Sequence, residues 1–174
     1  MEVLDRTSSD SSLTHVSVST GFGYHELIEA FERSVGHWNA ATGASLRREA
    51  ANWPKVEATV AKAGEPFGLM VMAKIDQGKL TSLSGRMKNC TLYLVGNPVI
   101  ANQIIDIDLR GSFYVPFRVA IHDGGDAGDG IISYDLPSSF LAVLDRPELI
   151  PIGKSLDEKM DKVISGLAIA PKPA

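Results

Sequence analysis

The chain has 174 residues, of which 44% are hydrophobic and 22% are charged, and this composition suits a single globular domain with a substantial core. Its formal net charge of −4 disfavours a nucleic-acid partner, because proteins that bind the phosphate backbone normally carry a positive charge. Its single cysteine excludes an intrachain disulfide, and no apolar run reaches bilayer length, so we expect no membrane partner.

The two ends of the chain are predicted to lie outside the folded domain. Residues 1–12 are acidic and rich in serine, without the basic and apolar regions of a secretory signal. Residues 170–174 are a short proline-containing tail. We therefore predict a disordered start, one domain over residues 13–169 and a short tail, in a cytoplasmic protein.

The first part of the domain combines one strand pattern with helical patterns. Residues 14–20 alternate polar and apolar side chains, which predicts a strand. Residues 24–35 repeat apolar side chains at helical spacing. Residues 43–63 are predicted as two helices that meet near Trp53, with Pro54 in the first turn of the second helix.

Two strands and a well-marked helix start follow. Residues 67–76 are predicted as a strand that ends in a turn over residues 76–79. The next strand begins at Cys90, which we interpret as a small packed residue rather than a nucleophile. Asn97 is predicted to cap a helix whose first residue is Pro98.

Residues 114–122 are predicted as a strand whose side chains split between two faces. The core face is predicted to hold Val115, Phe117, Val119 and Ile121. The opposite face is predicted to hold Pro116, Arg118, Ala120 and His122. A strand over residues 131–135 and a helix over residues 135–144 follow.

The last helix is predicted from a capping box formed by Ser155 and Glu158. Its apolar stripe consists of Leu156, Met160, Val163, Ile164 and Leu167. Because the strands cluster in the middle of the chain, we predict an α+β fold, an antiparallel β-sheet with α-helices packed on one face.

The segments "AKIDQGKL", "TLYLVGNP", "YVPFRVAIHD" and "ISYD" resemble the domain-of-unknown-function family 302 over about residues 67–141. The resemblance implies a bent antiparallel sheet like that of the TATA-box-binding protein, in a homodimer, and it implies no activity. Many family members have histidine after the Ile-Asp pair. Gln77 stands there in this chain, so we expect no histidine chemistry at that position.

The glycine-rich turn between the last two predicted strands contains Asp123, Asp126 and Asp129. These carboxylates are suitable calcium ligands, but their spacing matches neither an EF-hand nor a glycine-rich calcium repeat. Gly and Asp also supply the positive φ angles that a chain reversal needs. We interpret the segment as a turn and predict no metal.

A candidate binding site is predicted on the polar face of the strand over residues 114–122. Arg118 and His122 emerge there together, and Tyr134 or Asp135 and also Lys74 join them if the register allows. Tyr93 lines the same cleft if its strand faces outward. An arginine beside a tyrosine and a histidine can hold a carboxylate or phosphate, whereas the alternative is a solvated or interface ion pair.

Two other patterns offer weaker sites. The segment "STGFGYHE" places Gly-x-Gly before a helix, but Glu26 stands where the third glycine of a dinucleotide site would be and would repel phosphate. The four histidines lack the short spacing that puts two metal ligands on one face. We predict no cofactor.

Three functions are compatible with these sequence patterns. The first is a homodimeric module that binds a small apolar or anionic molecule through Arg118, His122, Tyr134 and Tyr93, without catalysis. The second is an enzyme of unknown type with His122 as general base and Arg118 as anion anchor, which requires an acid or tyrosine within reach of the His122 ring in a closed pocket. The third is a purely structural or protein-interaction domain.

Overall fold

The computed structural model describes residues 8, 10–124 and 128–167 and shows a six-stranded sheet with helices. The strands are β1 (His15–Ser19), β2 (Gly36–His37), β3 (Met70–Asp76), β4 (Cys90–Gly96), β5 (Phe117–Asp123) and β6 (Gly130–Asp135). The α-helices are α1 (Tyr24–Ser34), α2 (Ala40–Arg48), α3 (Trp53–Ala63), α4 (Gln77–Thr81), α5 (Pro98–Ile107), α6 (Pro137–Ala142) and α7 (Leu149–Leu167). The 3-10 helices cover Ser82–Ser84 and Leu109–Phe113.

The order of the strands across the sheet is β1-β6-β5-β4-β3-β2. All neighbours pair antiparallel except the two-residue edge strand β2, which runs parallel to β3. The predicted α+β class is therefore confirmed, while β2 is an element that the sequence pattern does not mark. None of the helices in the described part of the chain combines the length and apolar character that a membrane span requires.

The helix starts show why the local sequence folds as it does. The side-chain oxygen of Asn97 accepts hydrogen bonds from the backbone N–H groups of Val99 and Ile100, and Pro98 occupies the first helical turn as predicted. The break between α2 and α3 is fixed in the same way by Asn52, whose side chain accepts from the Lys55 N–H.

The core lies between the sheet and a layer that contains α1, α6 and α7. Leu27 and Phe31 of α1 and Leu156 and Met160 of α7 are completely or almost completely buried. The sheet contributes the buried side chains of Tyr93, Val95, Phe117, Val119, Ile121, Ile132 and Tyr134. This layer covers one face of β4, β5 and β6 and leaves the alternate side chains on the other face, which we call the open face.

The predicted start of the last helix and the predicted turn after β3 are wrong. Helix α7 begins at Leu149 rather than at a capping box, so Ser155 lies inside the helix. The helix can begin before the predicted capping box because Pro151 falls in the first turn of α7, where proline is tolerated and does not stop a helix. The predicted turn after Asp76 is instead α4, capped by the Asp76 carboxylate, which accepts from the Lys79 N–H at 2.8 Å.

Some predictions fall on residues outside the described part of the chain. They concern the tail over residues 170–174, the end of the predicted domain at residues 168–169, Asp126 in the acidic turn, and residues 1–7 and 9 of the predicted disordered start. Residues 125 and 127 of the same turn also lie outside the described part. In the described residues of the turn, Gly128 has a φ of 73°, and the Gly124 N–H donates to the Asp129 carbonyl.

Candidate functional site

Strand β5 separates the two faces of the sheet as predicted. Phe117, Val119 and Ile121 are buried against the helical layer. Arg118 points to the open face with 72% of its side chain exposed, and His122 lies partly buried on the same side. Val115 and Pro116 precede the strand and are not part of this alternation.

Tyr93 and Tyr134 lie on the opposite face from Arg118, so the predicted four-residue cluster does not form. Both tyrosines are register partners of Val119, one on each side of β5, and both are therefore buried in the core. Side chains of directly paired residues lie on the same face of a sheet, so both tyrosines lie on the face of Val119. Neither tyrosine can line a cleft on the open face with Arg118.

Tyr93 instead belongs to a polar cluster under the C-terminal end of α1. Its hydroxyl donates to the Glu32 carboxylate at 2.7 Å, and the Lys74 ammonium lies 2.7 Å from the same oxygen. Burial and this hydrogen bond to Glu32 raise the pKa of Tyr93. Burial also raises the pKa of Glu32, but the hydrogen bonds from Lys74 and Tyr93 outweigh it and lower the net pKa. We interpret the cluster as an anchor of α1 on the sheet.

On the open face, Asp135 links Arg118 to a histidine. The guanidinium Nη2 of Arg118 lies 3.9 Å from one carboxylate oxygen of Asp135, which is longer than a direct hydrogen bond. The other oxygen of Asp135 lies 2.9 Å from Nδ1 of His15 on the edge strand β1. Asp135 is the residue that the sequence left as an alternative to Tyr134.

The contacts continue from His15 across three strands to His122. The Ser17 hydroxyl lies 3.3 Å from His15 Nε2 and 2.9 Å from the Ser133 hydroxyl. The Ser133 hydroxyl lies 3.4 Å from His122 Nε2. We call this set the polar row, and its members are Arg118, Asp135, His15, Ser17, Ser133 and His122.

Both histidines of the polar row use Nδ1 for an oxygen acceptor and Nε2 for a serine. His15 Nδ1 donates to the Asp135 carboxylate, and His122 Nδ1 donates to the Asp123 carbonyl at 2.9 Å. Their Nε2 atoms contact the Ser17 and Ser133 hydroxyls, which also contact each other. The polar row is therefore a continuous chain of polar contacts between the two histidines.

The surroundings of His122 do not meet the requirement of the enzyme hypothesis. Its partners in the described part of the chain are the Asp123 carbonyl and the Ser133 hydroxyl, not an acid side chain or a tyrosine.

Within the same part of the chain, no group of three or more His, Cys, Asp or Glu side chains is placed to hold a metal ion. Asp129 contacts the Ser19 hydroxyl at 3.5 Å.

An aromatic cleft of about 360 Å³ adjoins the Arg118 end of the polar row. Tyr114 stacks on Phe140 with ring centroids 5.8 Å apart, and Phe113 meets Tyr114 edge-on at 5.2 Å. The lining residues are Leu13, Leu94, Phe113, Tyr114, Pro116, Phe117, Arg118, Asp135 and Phe140. This cleft was not predicted from the sequence, although the three aromatic residues within positions 113–117 are a usable signal.

A second cleft of about 350 Å³ lies between α3 and α5 and is lined mainly by apolar side chains. Its two asparagines are already engaged: the Asn97 oxygen caps α5 and its amide donates to the Gly68 carbonyl at 2.9 Å, while the Asn102 amide donates to the Asp106 carboxylate at 2.8 Å. The Gly-x-Gly segment is also occupied, since the Glu26 carboxylate accepts from the Gly23 N–H at 3.0 Å. An anion at this helix start would have to displace the Glu26 carboxylate, which agrees with the repulsion expected from the sequence.

Comparisons with known proteins agree with the fold. A solved structure described as an uncharacterized conserved protein DUF302 from Bacillus stearothermophilus is similar, with a TM-score of 0.63 at 16% identity, over 89% of this chain and 98% of the other. A search of curated proteins finds no match. Residues 46–167 match the family described as "Domain of unknown function DUF302". The chain therefore belongs to the DUF302 family.

Proposed function

We propose that the protein is a binding module for a small organic anion with an apolar body, held in the aromatic cleft with its charge on Arg118. The observation that carries this proposal is the exposed guanidinium at the rim of a cleft walled by aromatic rings. Ligand sites typically combine an apolar wall with a few polar groups that fix orientation. A carboxylate with an aromatic or aliphatic body matches both parts of the cleft.

The electrostatics around Arg118 leave its donors available for such a ligand. The 3.9 Å separation from Asp135 makes no direct hydrogen bond, and Asp135 is held by His15 at 2.9 Å. A ligand carboxylate can instead take two parallel hydrogen bonds from the guanidinium, which are stronger than those of a neutral donor. The repulsion from Asp135 selects for ligands that place their charge on the solvent side of Arg118.

Arg118 was predicted from the sequence as a ligand-binding residue and has that role in the proposed site, but the other residues of the site differ from those predicted. Tyr93 and Tyr134 are replaced by Phe113 and Tyr114, because the two predicted tyrosines lie under the helical layer. His122 stays connected to Arg118 only through the polar row and is not among the residues that line the cleft.

A ligand screen by thermal shift tests the proposal. Aromatic and aliphatic carboxylates are expected to raise the melting temperature by about 5–10 °C at roughly one hundred times the dissociation constant. We expect Arg118→Ala to weaken binding by about ten- to a hundredfold, since it removes charged hydrogen bonds. Arg33→Ala is the matched control, because Arg33 is an exposed arginine in a long surface pair with Glu29 at 3.7 Å.

Two outcomes would contradict the assignment. One is that no carboxylate raises the melting temperature of the wild type. The other is that Arg118→Ala responds to the ligand as fully as Arg33→Ala does.

We further propose that two copies meet through the apolar half of the open face. What supports this is a set of apolar side chains beside the polar row: Ile75, which is 46% exposed, and the half-buried Leu92 and Leu94. Leu92 pairs with Ile75 on one side and with Ala120 on the other, so the patch is continuous from β3 to β5, and Leu94 borders Arg118. Buried against a copy of itself, the patch would leave the Arg118 cleft at its border.

Sedimentation velocity at micromolar concentration checks this dimer. We expect the wild type to sediment as a dimer and Leu92→Glu to sediment as a monomer, because a buried unpaired carboxylate opposes association. Leu109→Glu is the control, because Leu109 is exposed and not part of the patch, and this variant should leave the dimer intact. A monomeric wild type would rule the interface out.

A further inference from the structure

The connection between β3 and β4 exposes three large apolar side chains within eight residues. Leu80, Leu83 and Met87 are 72%, 82% and 84% exposed. We call residues 77–89 the basic tip. Scattered exposed apolar residues need no explanation, but a cluster of this kind commonly marks an interaction surface.

The basic tip is folded by its own polar groups. The Lys88 N–H donates to the Ser82 hydroxyl at 2.8 Å, and the Lys88 ammonium donates to the Thr81 carbonyl and the Ser84 hydroxyl, each at 2.9 Å. Gly78 is buried so tightly that a Cβ there would overlap the Lys88 carbonyl oxygen. The segment therefore satisfies its polar groups internally while its large apolar side chains face solvent, the reverse of the usual arrangement in a soluble loop.

The charge of the basic tip is opposite to that of the chain. Lys79, Arg86 and Lys88 are exposed, and residues 77–89 contain no Asp or Glu, although the whole chain carries a formal charge of −4. Among the ion pairs of the described residues, none involves Lys79 or Arg86. The basic tip therefore carries three positive charges and no negative charge, and the adjacent Asp76 carboxylate is used as the cap of α4.

We propose that the basic tip docks the protein on a membrane surface that carries anionic lipid headgroups. Lys79 and Arg86 would lie at the phosphate level, since basic side chains near an anionic bilayer gain electrostatic attraction. Leu80, Leu83 and Met87 would enter the boundary between headgroups and acyl chains, where short amphipathic segments bind. The sequence-based expectation of no membrane partner concerned spanning segments and did not weigh this surface mode.

Cosedimentation of the full-length protein with lipid vesicles tests the proposal. We expect binding to vesicles of phosphatidylcholine mixed with phosphatidylglycerol, and little binding to phosphatidylcholine alone. Leu83→Ser and Met87→Ser should each lower the partition coefficient roughly tenfold, because each removes a large apolar side chain from the lipid contact. Lys79→Gln and Arg86→Gln should each lower it about fivefold and weaken its dependence on salt.

Leu109→Ser is the matched control. Leu109 is 77% exposed, but the two arginines beside it, Arg110 and Arg146, are both engaged by the Asp108 carboxylate, unlike Lys79 and Arg86. The proposal is overturned if wild type ignores anionic vesicles, or if Leu109→Ser reduces binding as much as Leu83→Ser. It is also overturned if Leu83→Ser changes the sedimentation coefficient without lipid, because the tip then contacts a second copy of the chain.

Discussion

Phe117→Ala is expected to lower the free energy of unfolding by about 3–4 kcal/mol, which is the usual cost of removing a buried phenylalanine. Phe117 is 4% exposed, packs against Phe140 with ring centroids 6.1 Å apart, and is paired with the buried Val95. Truncation leaves a cavity between β5 and α6 that neighbouring side chains can fill only in part. Urea denaturation followed by circular dichroism measures the change.

The adjacent residue is the control for this prediction. Arg118→Ala should change the free energy of unfolding by less than about 0.5 kcal/mol, because an exposed ion pair at 3.9 Å contributes little. Equal losses for the two variants would contradict the division of β5 into a buried and an open face. The proposed position of the binding site beside Arg118 would then be contradicted as well.

Gly36→Ala is expected to destabilise the fold by more than about 3 kcal/mol or to prevent folding, because steric overlap with backbone cannot be relieved by a rotamer change. A Cβ at Gly36 would overlap the Ala63 carbonyl oxygen at the end of α3. Gly36 also donates its N–H to the Leu69 carbonyl at 2.9 Å, which fixes β2 beside the start of β3. Soluble expression and the thermal unfolding midpoint report the effect.

Gly23→Ala is the comparison for Gly36→Ala. A Cβ at Gly23 would meet only the flexible Glu26 carboxylate, at 3.6 Å, and its φ of −65° is open to any residue. We expect a loss of about 1 kcal/mol or less, as for alanine at a helix N-cap. If Gly36→Ala lost as little stability as Gly23→Ala, α3 and β2 would separate easily, which contradicts the close approach of Gly36 to the Ala63 carbonyl.

Local patterns predicted much of the fold, because they reflect local physics. The alternation of Phe117, Arg118 and Val119 follows from the two-residue period of a strand, whatever its partners are. The start of α5 follows from the capping chemistry of Asn97 and the fixed φ of Pro98. The family resemblance over residues 67–141 agreed with the matched region over residues 46–167.

The candidate site was harder to predict, because it depends on register between strands that are distant in sequence. The strand with Tyr93 has apolar side chains on both faces, so its pattern does not reveal which face meets the core. The side of Tyr134 depends on its pairing with Val119, which no local signal encodes. The aromatic cleft combines Leu13, Phe113 and Phe140 from three separate parts of the chain.

The strand order also divides the polar row between two distant parts of the chain. The four inner strands, β3 to β6, all fall within the region that matches the DUF302 family, whereas both outermost strands come from residues 15–37. His15 and Ser17 therefore reach Asp135 and Ser133 only because β1 pairs with β6 at the edge of the sheet. A change that detached this edge strand would separate Asp135 from its histidine and leave Arg118 in place on β5.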